Sequence, residues 1–121
     1  YPFEWAAPMV EAFGLAVCMD IGHLILYGAD PAAFFRRWRR RIRLIHLHGV
    51  RPCGGPLPGE GTGQDHVGLD EMAPEYLPPV MEILKRFDGV VSIEVFAYRH
   101  LVPSLKTLAE HWQDCREENA T

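Results

Sequence analysis

Cysteine is scarce in this 121-residue chain, with three in all, at positions 18, 53 and 115, and none of them forms a C-x-x-C pair. Neither a disulfide framework nor a thiolate zinc site is therefore expected, and a reducing cytoplasmic setting fits best. Long apolar runs are missing as well. Nothing approaches the ~20 residues of a membrane helix, and Tyr1-Pro2-Phe3-Glu4 has neither the basic start nor the apolar core of a signal peptide, so a soluble protein without a membrane partner is expected. Basic residues are in deficit: 12 Lys and Arg against 16 Asp and Glu give a formal charge of -4, which speaks against a dedicated nucleic-acid binder. No G-x-G-x-x-G or P-loop word follows a strand pattern, and Gly59-Glu60-Gly61-Thr62-Gly63 lies mid-loop with no helix directly after it, so it reads as plain loop glycine. What is present, 48% hydrophobic and 23% charged residues, is ordinary globular composition for one domain or less.

Apolar spacing orders the chain. Phe3, Ala6, Ala7 and Val10 recur at helical intervals and Gly14 suits a helix C-terminus. Leu15 to Met19 is a short apolar run that reads as a strand buried on both faces. Asp30-Pro31 marks a helix start, with Ala33, Phe34 and Trp38 on its apolar side. Ile42 to Leu47 is a second strand, and Gly49 to Gly68, with prolines at 52, 56 and 58, reads as a long functional loop. Leu77 to Phe87 is a helix, Val90 to Val95 a third strand and Leu101 to about Glu117 a final helix. Such alternation predicts an α/β fold with parallel strands, either a doubly wound sheet or a (β/α)8 barrel.

The strands end on ionisable groups: Asp20 after the first, His46 and His48 on the second, Glu94 on the third. Barrel enzymes place their catalytic groups at such ends. Because residues two apart share a face, Cys18 and Asp20, His46 and His48, and Ser92 and Glu94 fall on one side, while Val17, Met19, Ile45, Leu47, Val91, Ile93 and Val95 form an apolar side for outer helices. Taken singly, Asp20 reads as a cap and His46 as a hydrogen-bonded core histidine. Taken together they read as ligands, since an unpaired carboxylate costs several kcal/mol to bury and a divalent cation satisfies converging Asp, His and Glu. His23 adds a ligand three residues after Asp20, with Gly22 letting the chain turn between them, and Asp65-His66 closes the long loop. Zinc, manganese or cobalt would each suit such mixed ligands.

The words Asp20-Ile21-Gly22-His23-Leu24, Ile45-His46-Leu47-His48-Gly49, Asp65-His66 and Ser92-Ile93-Glu94-Val95-Phe96, in this order, resemble the C-terminal part of the xylose-isomerase-like TIM barrels, the superfamily that includes AP endonuclease family 2 and the sugar epimerases. Within it, His-Leu-His-Gly followed by a loop ending in Asp-His and a nearby leucine looks most like the cobamide-remodelling phosphodiesterases. The resemblance implies a metal-dependent hydrolase in which Asp20, His46 and Glu94 are metal ligands, with Asp65 or His66 of the loop pair as a further one and His23 and His66 completing a second site or orienting water. Catalytic roles fall to Glu94, His23 and His66. The alternatives are a sugar isomerase or epimerase, in which Glu94 moves a proton, and an inert barrel segment. Two departures bear on this: Gly49 stands where many relatives carry an acid, and Asp65 and His66 are adjacent where the endonucleases separate them by one residue.

His48, Arg51 and Arg99 are expected to contact a small-molecule substrate, a corrinoid or a sugar, with His100 a weaker candidate. The arginines at 36, 37, 39, 40, 41 and 43 end a helix and begin a strand, so they belong to the rim opposite the catalytic mouth, where cations complement the helix C-terminus. A closed barrel takes about 250 residues, so residues 1–121 are expected to form a C-terminal portion with about three strands, completed by a missing N-terminal half or by self-association.

Overall fold

The computed structural model describes residues 3–52 and 63–117. Cys53 and the glycine-rich stretch 59–62 lie outside them. A 3₁₀ turn at Phe3–Trp5 leads into helix α1 (Ala7–Phe13), which ends where Gly14 takes the left-handed conformation at φ 61°. That conformation is open to glycine without a Cβ penalty. Strand β1 (Val17–Asp20), helix α2 (Ile21–Leu26), helix α3 (Pro31–Trp38) and strand β2 (Ile42–Leu47) follow. Asp30 caps α3 by accepting the Ala32 N–H, as the Asp-Pro pair predicts. Strands β3 (Gly49–Pro52) and β4 (Gly63–Val67) precede helix α4 (Leu77–Arg86), strand β5 (Val90–Ile93) and helix α5 (Tyr98–Glu117).

The sheet order is β1-β2-β5, all parallel, with Asp20 opposite His46 and His46 opposite Ser92. The ladder runs one step past β5, where the Glu94 N–H donates to the Leu47 carbonyl. Val17, Met19, Ile45 and Leu47 are buried on one face and join Ile21, Phe35, Trp38, Val80 and Ile83 in the core. The fold is thus three βα layers with the apolar face under the helices, as the alternation of residues requires.

Several expectations are corrected. The first strand begins at Val17, so Leu15, 46% exposed, lies outside it, and the strand is buried on one face only, since Val17 and Met19 pack under the helices while Cys18, on the other face, is exposed. Val91 is 39% exposed for a related reason, since β5 is an edge of this sheet. The ends of the expected loop, Gly49–Pro52 and Gly63–Val67, pair as an antiparallel two-stranded ribbon. The last helix starts at Tyr98.

A short helix, α2, stands where a mere turn is expected. Gly22 is needed there for space, since a Cβ would come within 2.2–2.6 Å of the His48 ring. At the opposite rim, Arg43 donates to the carbonyls of Arg40 and Ile42, in keeping with a structural role for the arginine run.

Gly22→Ala is a test of this packing. Helix propensity favours alanine by about 1 kcal/mol, whereas overpacking against an already buried ring costs about 1–3 kcal/mol. The variant is expected to be less stable in urea denaturation despite its better helix former, and equal or greater stability would contradict the packing.

Candidate metal centre

Asp20 closes β1 and caps α2, so its carboxylate is fixed from two sides. Oδ1 accepts the His23 backbone N–H at 2.9 Å and His48 Nε2–H at 3.1 Å. Oδ2 lies 2.9 Å from His23 Nδ1 and 3.9 Å from His46 Nδ1. Burial works against its charge, but the hydrogen bonds from His48 and from the His23 N–H, with the nearby imidazoles, outweigh it and hold the carboxyl below its ordinary value. Sequence alternation then delivers the partners: His46, on the same face of the next strand, places Nδ1 3.1 Å from Glu94 Oε2. Donor atoms of Asp20, His46 and Glu94 all lie within 4.8 Å of one another, and a second such group joins His23, His48 and His66.

His48 differs from its expected role. It is fully buried, so it is a brace behind Asp20 rather than a surface that meets substrate. The His66 N–H donates to its Nδ1 at 3.1 Å, which leaves the proton on Nε2 facing Asp20 in the neutral ring. Burial pushes its pKa down, yet Asp20, bonded to Nε2, the Gly49 carbonyl, 3.1 Å from Nδ1 and able to accept from it only in the protonated ring, and the charge of Asp65 raise it overall. With both ring nitrogens engaged, His48 is the member of the second group least free to ligate.

His66 is the opposite case. Its backbone sits at φ 53°, a region that histidine enters more readily than most residues but rarely. Its ring lies between His48 and Phe96, with centroids 4.1 and 4.0 Å away and planes within 12–13°. Among the described residues, buried Nδ1 makes no well-formed hydrogen bond, and the atom beside it is Asp65 Oδ1, 3.2 Å away. An orphaned buried nitrogen is costly unless something coordinates it. Together with carboxylate and imidazole donors, this is the donor set that a divalent cation fits.

His23 connects the two groups. Its Nδ1 faces Asp20, and its Nε2 lies 3.1 Å from Asp65 Oδ2. Asp65 is held below the ordinary carboxyl range by His66 and His23 beside it, against a small burial effect. Cys18, on the same sheet face, has its thiol pushed up by partial burial and by Asp20 and Glu94, which keeps it protonated and a poor competitor for metal.

Arg51 and Arg99 are joined at one side of this site. Arg51 donates to Gln64 Oε1 at 2.9 Å and pairs with Glu71, while Arg99 Nε–H donates to His100 Nε2 at 3.3 Å. Glu71 escapes sequence reasoning because it sits in a 3₁₀ turn, Leu69–Glu71, with no periodic pattern to give it a face.

Residues 2–115 match the xylose isomerase-like TIM barrel family. The chain belongs to that family. A more local likeness is to an inosose dehydratase of Lacticaseibacillus casei and to that of its strain BL23, each 40% identical over 43 residues. The matched stretch is 36% of this chain and 14% of either relative. In this chain the parallel register brings Asp20, His46 and Glu94 together at the strand ends.

Asp20, His46 and Glu94 are the residues that could hold a divalent cation, and their contribution can be measured. His46→Ala is expected to lower zinc or manganese affinity at least tenfold in a calorimetric titration, whereas His111→Ala, on the far part of α5, leaves it within about twofold. Equal losses would count against the centre.

Proposed function

We propose that the protein is a metal-dependent phosphodiesterase acting on the nucleotide loop of a cobamide. The observation that carries this reading is the density of ligands. Asp20, His46 and Glu94 form one group, and His23, Asp65 and His66 crowd beside it, more donors than one sugar-binding ion uses and suited to gripping a phosphodiester from two sides. Divalent ions in such a setting supply Lewis acidity and lower the pKa of bound water toward neutrality.

In this reading Asp20, His46 and Glu94 would hold metal, and His66 Nδ1, beside Asp65 Oδ1, would offer a donor to a second position. Asp65, whose Oδ2 accepts from His23 Nε2–H, takes a proton from the attacking water at the site's edge, and His23 holds that carboxylate in place. The water oxygen bonds to phosphorus, the P–O bond to the nucleoside breaks, the nucleoside oxygen leaves with the proton taken from that water, and phosphate stays on the corrinoid. The cobamide as substrate is supported by the His46-Leu47-His48-Gly49 and Asp65-His66 words.

A second reading is supported by the local likeness to inosose dehydratase: an isomerase, epimerase or lyase of sugars or cyclitols, in which Glu94 takes a proton from carbon. Incubating the metal-replete protein with a cobamide and, separately, with ketoses and inososes in deuterated water separates the two. Nucleoside release without deuterium in any sugar is the expected outcome, and His23→Ala should reduce that rate about 10²-fold. Deuterium at a sugar carbon, or loss of water from an inosose, with the cobamide intact, would establish the second reading instead.

A further inference from the structure

Outside the ligand groups, four side chains form a continuous chain at the same end of the sheet. Arg51 on β3 pairs with Glu71, and Glu71 Oε1 lies 3.0 Å from His100 Nδ1. His100 Nε2 then accepts Arg99 Nε–H. The tautomer follows from the geometry: Nε2 is the acceptor, so Nδ1 carries the proton and donates to Glu71. Glu71 and His100 are mostly buried, with side chains 21% and 14% exposed, while Arg51 is 50% exposed. The buried members are therefore carboxylate and imidazole, and the guanidiniums form the outer ends.

The backbone ties this chain to the metal centre. Arg51 lies opposite Gln64 in the β3–β4 pairing, and Gln64 immediately precedes Asp65. Arg99 follows Phe96, whose ring stacks on His66. Beneath it, Ser104 Oγ accepts the Leu69 N–H and donates to the His100 carbonyl, which locks the Glu71 turn against the start of α5. An arginine on an unsupported surface explores many rotamers, and fixing it in advance removes that cost from ligand binding.

We propose that Arg51 and Arg99 form an anion subsite for a phosphate-bearing substrate, with Glu71 and His100 as positioning residues that set the two guanidiniums relative to the metal centre. Glu71 neutralises part of the charge but leaves further guanidinium N–H groups on both arginines, the donors that suit phosphate oxygens. The naming of phosphate rests on the phosphodiesterase reading. The contacts that run from Arg51 through Glu71 and His100 to Arg99 do not depend on that reading.

The test uses two readouts. Inorganic phosphate binding is titrated in the absence of added metal, and hydrolysis of bis(p-nitrophenyl) phosphate is measured with metal. Glu71→Gln is expected to weaken phosphate binding about tenfold and to raise KM about tenfold with kcat within twofold. Glu71→Asp should recover part of the loss, and Glu82→Gln, on the surface of α4, should change neither readout. Circular dichroism and the urea midpoint verify that the variants fold; if Glu71→Gln does not, Arg51→Lys, which keeps the charge but loses the fork, carries the same expectation. Unchanged phosphate affinity in a folded Glu71→Gln or Arg51→Lys variant, or a fall in kcat with KM unchanged, overturns the subsite. Phosphate binding that depends on Glu71 without any diester hydrolysis upholds the subsite and counts against the phosphodiesterase reading alone.

Discussion

The carboxylate of Asp20 is the constraint around which the rest is arranged. It stands at the C-terminal end of a parallel strand and at the N-terminus of α2, so one oxygen is consumed by the His23 N–H and by His48 Nε2–H. Its other oxygen is left facing His23 and His46. A partly buried carboxylate accepting two hydrogen bonds stays ionised through the neutral range. That fixed negative charge, with Glu94 across the sheet, gives the imidazoles a reason to gather there. It also explains Gly22, whose missing Cβ admits the His48 ring behind the carboxylate.

The two faces of the sheet divide the work. On one, Val17, Met19, Ile45 and Leu47 bury against the helices and fix the register. On the other, the same register sets Asp20, His46 and Glu94 side by side. Slipping any strand by one residue would exchange these sets, burying ligands and exposing core. Packing energy on the helical face therefore specifies geometry on the chemical face. The β3–β4 ribbon adds to it by carrying Asp65 and His66 in from the side, at the cost of a left-handed backbone at His66.

Much of this could be read from the sequence because strands impose strict alternation. The parallel order, the apolar face and the meeting of Asp20, His46 and Glu94 all follow from a period of two and from polar groups at strand ends. The cap at Asp30 and the left-handed end at Gly14 follow from local stereochemistry in the same way. Other features had no such signal. Helix α2 is hidden by its brevity and by Gly22, whose purpose lies in a ring 26 positions along the chain. The β3–β4 ribbon is hidden by the prolines and glycines between its strands. His48 alternates with His46 and so shares its face in the pattern, but it sits one residue past β2, where the chain leaves the sheet and turns the ring inward. Glu71 acts through tertiary contacts alone.

The claim on which the account turns is that Asp20, His46 and Glu94 bind one divalent ion through oxygen and nitrogen. X-ray absorption at the zinc edge of the zinc-loaded protein measures it most directly. The expected spectrum fits only oxygen and nitrogen scatterers at about 2.0–2.2 Å, with an imidazole contribution that diminishes in His46→Ala. A sulfur shell near 2.3 Å, or a spectrum unaltered by removing His46, would contradict it.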